Sequence, residues 1–460
     1  MDYDRLESFI FEKMSKTHLP GLSLAIVEKG RLAYSRGFCF RDLEYGLRAT
    51  PETLYGIGSV TKSFTALSIM QLAEKGKLSL DDPVRKYIPQ LKLEPKGGEP
   101  VRIWHLLCHA SGIPALAYAE GLIRYVTGAG GKWVPIASAE DLFAFMRDAS
   151  QWVLAKPGER WFYLNEGYVI LGYVIEKVSG LSYDKYVKEN IFRPLKMDRS
   201  FFRKEDVEAD ANVATPYIIT RDGEPKKSVF PYGIYADGGL ISNVIDLAHY
   251  IIMYLNRGKY EGNTLASSES IEEMEKPRVR MPLQVFGGES YGYGLSIIPN
   301  FLGYKLVGHG GSVLVYTAYM GYIPEKRVGV ALLANGSGYP LSQIGLYALA
   351  LLLDKNPDEL PFIKYEKTYE LLSGLYETYK GTMDARVVPK GGLLQIEICD
   401  KYTDMIIPLI PEDIEGDVKR FYAIQAGGKL PVEFIAEGDR VELIYERYRL
   451  KKVGNLPQQS

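Results

Sequence analysis

The sequence predicts an α+β domain followed by a small antiparallel β-barrel or sandwich, on three observations. Strand-like runs crowd together at Tyr291 to Ile298, Tyr304 to Gly308, Val313 to Ile323 and Arg327 to Asn335, with turns between them, as in an antiparallel sheet. Apolar helical patterns flank the strands, from Leu6, Phe9, Ile10 and Met14 at the start to Gln343 to Leu353 at the close. Beyond a polar, proline-bearing connector, Asp354-Lys-Asn-Pro-Asp-Glu-Leu-Pro361, short alternating runs recur at roughly ten-residue spacing. These features place one domain over residues 1–355, a linker over 356–365 and an antiparallel β domain over 366–460.

The chain has 460 residues, 46% of them hydrophobic and 24% charged, enough for a large core in a globular protein. A net charge of -2 gives no electrostatic reason to bind nucleic acid or an anionic membrane. Met1-Asp-Tyr-Asp-Arg-Leu-Glu is unlike a signal peptide, and the longest apolar run, Ile344 to Leu353, is too short to span a bilayer. Cys39, Cys108 and Cys399 are scattered and odd in number, so a disulfide framework is not expected. A cytoplasmic protein fits these features. The 34 tyrosines have no explanation in the sequence beyond packing and interfaces.

In chain order, Pro20-Gly21 ends the first helix. Leu22 to Val27 and Arg31 to Phe40 read as strands joined across Glu28-Lys29-Gly30. Gly56-Ile-Gly-Ser-Val-Thr-Lys62 then leads into an apolar helix through Phe64, Leu67, Met70 and Leu72, closed by Gly76. Val101 to Cys108 is a short helix, broken at Ser111-Gly-Ile-Pro114. Ala115 to Ser150 is irregular, and its Gly128-Ala-Gly-Gly131 is either a lid over a site or a surface loop. Pro157-Gly-Glu-Arg160 turns the chain into Trp161-Phe-Tyr163-Leu-Asn165-Glu-Gly167, which opens a helix with Val169, Ile170, Tyr173, Val174 and Val178 apolar. Ala236-Asp-Gly-Gly-Leu-Ile-Ser242 precedes a helix over Val244 to Leu255. The C-terminal runs are Leu393 to Ile398, Met405 to Leu409, Arg420 to Ile424, Val432 to Ile435 and Val441 to Tyr445, and no cluster of chemically useful residues accompanies them.

Ser59 and Lys62 share one helix face at a helix start, where unpaired N–H groups and the macrodipole favour negative charge. A lysine buried beside that positive end has its pKa lowered and can accept the proton of a serine nucleophile. A second Ser-x-x-Lys, Ser182-Tyr-Asp-Lys185, opens a charged helix and reads as an N-cap. Gly288-Glu-Ser290-Tyr-Gly292 matches a nucleophile elbow, but a strand and not a helix follows it. His105 and His109 stand at i, i+4, the spacing of two metal ligands on a helix or of two histidines in structural hydrogen bonds. No third ligand lies near them in sequence, and no metal is expected.

Three stretches then align: Ser59-Val-Thr-Lys62, Tyr163-Leu-Asn165 and His309-Gly-Gly311. In this order they resemble the three boxes of the serine β-lactamase and penicillin-binding-protein superfamily. The likeness is greatest to its branch of class C β-lactamases, D-aminopeptidases and CubicO-type serine peptidases. The stretches Val101 to Pro114, Pro157 to Tyr168 and Gly238 to Ser242 look like that family too. The resemblance implies a β-lactamase/transpeptidase-like fold: an antiparallel sheet flanked by helices, plus an all-helical subdomain. Leu372-Ser-Gly-Leu-Tyr376 is similar to the start of the accessory, lipocalin-like β-barrels that some members carry.

The resemblance also implies roles. Ser59 attacks a carbonyl, Lys62 and Tyr163 share its proton as general bases, and His309 fills the third box. Asn165, Gly310 and Gly311 bind substrate, and the backbone N–H groups of Ser59 and Ser312 form an oxyanion hole. No cofactor is implied. The leading expectation is hydrolysis of amide bonds in small peptides, D-residue-containing ones above all. No nucleic-acid or membrane partner is expected, and a homo-oligomer is compatible with the sequence. An esterase or β-lactamase on the same fold is the alternative, as is a ligand sensor that acylates without turnover. Histidine at position 309, with an ordinary pKa of about 6.5, is neutral above neutral pH unless a carboxylate neighbour raises it. Dependence on a substrate's free C-terminal carboxylate is therefore not expected.

Overall fold

The computed structural model describes the whole chain except residues 92, 94–97, 234, 400, 403, 439 and 457–460. It divides into two compact units, Met1–Lys355 and Asn356–Ser460.

The first unit opens with helix α1 (Tyr3–Thr17), N-capped by the Asp2 side chain, with Leu6, Phe9, Ile10 and Met14 on its buried face. Strands β1 (Gly21–Glu28), β2 (Arg31–Asp42) and β3 (Leu47–Arg48) follow, then, far along the chain, β4 (Val279–Arg280), β5 (Ser290–Tyr291), β6 (Ser296–Phe301), β7 (Tyr304–Ser312), β8 (Thr317–Ile323) and β9 (Val328–Ala334). Among the described residues these form one nine-stranded sheet, ordered β4-β5-β6-β7-β8-β9-β1-β2-β3. β1 pairs antiparallel with both β9 and β2. Gly21 to Val27 and all of β9 are buried, because helices cover both faces of these central strands.

The helices that matter here are α2 (Thr61–Glu74), α3 (Ile103–Leu107), α4 (Tyr118–Val126), α5 (Asn165–Ser179), α6 (Val244–Leu255) and α7 (Leu341–Leu352). α7 lies on the face to which Tyr319 points: a Cβ added at Gly345 would stand 2.3 Å from that ring. α6 lies on the opposite face, where Ile251 approaches Gly329 of β9. α2 is buried on all sides from Thr61 through Leu72. Its polar side chains find partners inside: Ser63 Oγ donates to Val60 O, Ser68 Oγ to Phe64 O, and Gln71 Nε2 to Asn190 O and Leu265 O. Gly76, left-handed at φ 66°, closes the helix as expected, its N–H donating to Ala73 O.

Two expectations need correction. Ala115 to Ser150 is not irregular: it holds α4 and further helical turns at Ala139–Phe145 and Met146–Trp152, with Tyr118, Ala119 and Leu122 buried. β7 also runs past Gly308 to Ser312, and the turn falls at 313–316. His309, Gly310 and Gly311 therefore stand in a strand.

In the second unit, α8 (Pro361–Leu372) begins with proline in its first turn and crosses the end of the segment expected as a linker. Strands β10 (Gly374–Glu377), β11 (Asp384–Lys390), β12 (Leu393–Cys399), β13 (Asp404–Asp413), β14 (Val418–Gln425), β15 (Gly428–Glu437), β16 (Arg440–Tyr445) and β17 (Tyr448–Gly454) close into an antiparallel barrel, β10 pairing with β17. Of the two architectures the alternating runs allowed, the barrel is the one formed. Tyr376, Leu394, Phe421, Val432, Phe434 and Leu443 belong to its core. Among the described residues no helix is long and apolar enough to cross a membrane.

Candidate active site

Gly58–Val60 form a 3-10 turn that runs into α2, so Ser59 stands where backbone N–H groups have no helical acceptor. Two glycines let the end of β7 pass directly over this turn. A Cβ at Gly58, whose φ is 51°, would lie 2.7 Å from Ser312 N, and one at Gly311 would lie 2.0 Å from Ile57 O. Val313 N donates to Tyr316 O at 3.0 Å, and Ser312 pairs with Thr317. The antiparallel alternation then turns the N–H groups of Ser312 and Gly310 away from β8. β6 covers the other edge of β7 only as far as Gly308, opposite Ser296. Beyond Gly308 that edge faces a cavity of about 500 Å³, lined by Ser59, Glu120, Tyr163, Asn165, His309 and Ser312 among others. Gly310 and Gly311 line it too.

Lys62 is fully buried beneath this cavity. Its ammonium donates to Ser59 Oγ at 3.1 Å, Asn165 Oδ1 at 2.8 Å and the Asp237 carbonyl at 2.6 Å, which uses all three N–H groups. Its Nζ also lies 4.9 Å from the centre of the Tyr163 ring and 5.5 Å from that of Tyr168. Of the residues expected from the three boxes, Ser59, Asn165 and the Tyr163 ring thus meet at Lys62, and His309, Gly310 and Gly311 line the same cavity.

Two histidines hold the aromatic wall. His309 Nδ1 donates to Gly310 O at 2.6 Å, leaving Nε2 to accept from the Tyr291 hydroxyl at 2.7 Å. Burial, and after it the charge of Lys62, lower its pKa to about 4, so the ring is neutral at neutral pH. His109 Nδ1 accepts the Leu164 N–H at 3.0 Å, and its ring sits 4.2 Å from that of Tyr163 and 4.8 Å from that of Tyr291. Burial and Lys62 keep its pKa well below the usual value. His109 thereby fixes the irregular segment that carries Tyr163 and leads into Asn165 at the start of α5. His105 Nδ1 accepts the Arg102 N–H at the start of α3. Each member of the i, i+4 pair is therefore a backbone anchor, and among the described residues no cluster is arranged to hold a metal.

The two other serine motifs lie elsewhere. Ser182 precedes the Tyr183–Val187 helix, but its Oγ donates to Asp184 Oδ1 and caps no helix N–H. Ser290 sits in β5 and donates to Gly288 O. The sequence reading missed Tyr291, Glu120 and Glu166. Tyr118, Ala119 and Leu122 recur at helical spacing, which would have placed Glu120 and Ile123 on one exposed side of a helix. It is α4, and not the glycine run at 128–131, that flanks the cavity, through Ala119, Glu120 and Ile123. Glu166, next to Asn165, is buried; its Oε1 accepts the Tyr118 N–H, and its Oε2 has no hydrogen-bond partner among the described residues. Burial, with the charges of Glu120 and Asp237, pushes its pKa up to about 7.

A family model described as Beta-lactamase matches residues 6–354, and one described as Pab87 octamerisation domain matches residues 357–451. Protein flp of Staphylococcus aureus is 26% identical over 332 residues, 72% of this chain; the chain spans only 62% of that relative's length. Among solved structures, the octameric penicillin-binding protein homologue from Pyrococcus abyssi is 52% identical, with a TM-score of 0.94 over 98% of this chain and 100% of that one. A D-stereospecific amidohydrolase from Streptomyces sp., 24% identical with a TM-score of 0.62 over 76% and 98% of the two chains, shares the fold.

Two outcomes follow from this geometry. A Cβ at Gly311 would stand 2.0 Å from Ile57 O and must push β7 off the Ser59 turn, so Gly311→Ala is expected to slow any labelling of Ser59 by a serine-directed reagent about 10²-fold in a protein that still folds. An unchanged labelling rate would show that the close approach is not needed. Glu166, raised from 4.5 to about 7, binds more protons folded than unfolded. Its contribution to stability is full below about pH 4.5 and is lost as pH rises through about 7, on the order of 3 kcal/mol at most. Glu166→Gln should remove that loss. Unfolding free energies of both proteins at pH 5 and pH 8 test this, and parallel pH profiles would refute it.

Proposed function

This chain belongs to the Beta-lactamase family, and we propose that it hydrolyses amide bonds of small peptides through an acyl-enzyme on Ser59. The observation that carries the reading is a buried lysine 3.1 Å from a serine hydroxyl at a helix start. Ser59 Oγ attacks the carbonyl carbon, and its proton passes to the Lys62 amine or the Tyr163 phenolate. In the amine form Lys62 keeps Asn165 Oδ1 and Asp237 O as acceptors and receives the Ser59 O–H; after transfer it donates to all three. The carbonyl oxygen, turned oxyanion, lies between the N–H groups of Ser59 and Ser312, which together stabilise it by several kcal/mol. The C–N bond breaks as the proton reaches the departing amine. Water then attacks the ester by the reverse proton path and releases the acid and free Ser59.

On the uncovered edge of β7 the Gly310 N–H points away from β8, and with no side chain at Gly310 or Gly311 the cavity has room for an extended peptide along that edge. The proposal extends to D-residue peptides the stereospecificity named for the Streptomyces neighbour, in line with the resemblance of the three boxes. It also assigns self-association to the second unit. The match of residues 357–451 to an octamerisation domain and the octameric homologue support this. So do exposed apolar side chains on the barrel, such as Tyr379 and Ile424.

In Ser59→Ala, labelling by a serine-directed reagent and hydrolysis of paired D- and L-amino-acid amides should both vanish. Labelling that survives there but is lost in Ser290→Ala would overturn the assignment. Lys62→Ala and Tyr163→Phe should each slow acylation by 10² or more, and non-additively, since they serve one proton transfer. A double variant showing the product of the single losses would refute the shared base. Residues 1–355 expressed alone should remain acylable at Ser59 but lose self-association by light scattering. A folded truncation that still associates, or that cannot be acylated, contradicts the division of labour.

A further inference from the structure

β7 faces the cavity along the stretch that β6 leaves uncovered. The ladder to β8 pairs Gly310 with Tyr319 and Ser312 with Thr317, positions whose N–H and C=O groups both point off that free edge. The edge thus holds two donors, the N–H groups of Gly310 and Ser312, and two acceptors, their carbonyls. One acceptor is already occupied: His309 Nδ1 donates to Gly310 O at 2.6 Å. The same ring accepts the Tyr291 hydroxyl on Nε2 at 2.7 Å, and both side chains are buried. A neutral imidazole has one donor and one acceptor, and here both are committed. Nothing is left on the ring for a proton from Ser59 or Tyr163, or for a substrate group. The free edge is therefore uneven. Opposite Ser312 it offers a donor and an acceptor; opposite Gly310 it offers a donor alone.

The proton path sets the direction in which a substrate lies on this edge. The departing amine has to leave beside Lys62 and Tyr163, and the Tyr163 ring is 6.4 Å from that of His309. The departing half then runs from Ser312 toward Gly310, antiparallel to β7. With the scissile carbonyl on the Ser312 N–H, the residue that carries it pairs with Ser312. The second residue past the scissile bond comes opposite Gly310. Its carbonyl meets the Gly310 N–H. Its own N–H meets a carbonyl that already holds an imidazole N–H, and finds only the other lone pair, beside a like-signed donor. Given Ser59 as the nucleophile, we propose that His309 determines specificity on the departing side by closing the Gly310 carbonyl, with Tyr291 as the positioning residue that holds the ring there. The enzyme then reads that part of its substrate through a carbonyl oxygen and not through an N–H. Chains joined at that point by an ester, as in depsipeptides, fit as well as peptides do.

The test uses the full-length protein and matched substrates, of D and of L configuration, whose first and second departing residues are joined by an amide or by an ester. Products identified by mass separate cleavage of the scissile amide from cleavage of the ester. In the wild type, kcat/KM at the scissile amide should not favour the amide-linked substrate by more than about threefold, since no acceptor awaits its N–H. The double variant His309→Phe, Tyr291→Phe keeps both rings and removes both ends of their hydrogen bond, so neither is left unpaired. It opens Gly310 O, and the amide-linked substrate should gain about three- to tenfold over the ester-linked one, the contribution of one backbone hydrogen bond. A larger amide preference in the wild type overturns the proposal without any variant. A ratio that the double variant leaves unchanged overturns it as well, whatever happens to the rate common to both substrates. Serine-directed labelling in the same preparations separates the two readings. Labelled Ser59 without the expected ratios defeats this inference alone; unlabelled wild-type Ser59 defeats it together with the hydrolase.

Discussion

A cation with no access to water organises this molecule. Burying an ammonium is tolerable only where every N–H has an acceptor. Lys62 finds its acceptors in three segments: the turn before α2, the first residue of α5, and a backbone carbonyl 175 residues away in sequence. Removing one of the side-chain acceptors leaves a buried donor short of a partner, a defect that typically costs about 1–3 kcal/mol. The groups that chemistry needs near Ser59 are thus the same groups that the fold needs around Lys62.

The tyrosines answer to a related demand. α2 is buried all round yet carries Ser63, Thr65, Ser68 and Gln71. Partners for such a helix must fill volume and also supply a polar tip. Tyr250 donates to Ser63 Oγ, Tyr183 shares a hydrogen bond with Thr65 Oγ1, and Tyr186 donates to Gln71 Oε1. Nearer the cavity, Tyr168 donates to Leu107 O and Tyr291 to His309. Part of the tyrosine content is thus the counterpart of one polar helix placed in the core, through Tyr183, Tyr186 and Tyr250.

What was legible in the sequence follows from where the information lies. Ser59 and Lys62, or Tyr163 and Asn165, sit at short fixed spacings, and the alternating runs of the C-terminal strands carry their own period. The extension of β7 to Ser312 was not legible, because three of its last four residues are His309, Gly310 and Gly311, which carry no strand signal. They are held there by pairing with β8 and by the need to clear Ile57 O. His109 was visible as one of a spaced pair, but its partner is a backbone N–H 55 residues on, which no side-chain pattern encodes. Glu120 escaped notice because an exposed glutamate on a short helix looks like any solvated residue. What singles it out is the Asn165 amide beside it, which donates to its carboxylate.

The second unit is also legible by period but not by purpose. Its resemblance was to lipocalin-like barrels, a group in which a barrel interior can hold a ligand. Here the interior is occupied by side chains: Phe434 packs edge-on against both Phe421 and Tyr376, with Leu394, Val432 and Leu443 in the same core. A barrel filled in this way leaves only its outer surface for contact with another molecule. On that surface Ile424 is 60% exposed and Val453 54%, at strand positions where alternation would ordinarily put polar groups toward water, and Tyr379, in the turn between β10 and β11, is 80% exposed. Apolar side chains retained outside a barrel whose core is already complete do nothing for its own folding. They gain stability only when another surface covers them, which is the physical basis for assigning self-association to this unit and bond breaking to the other.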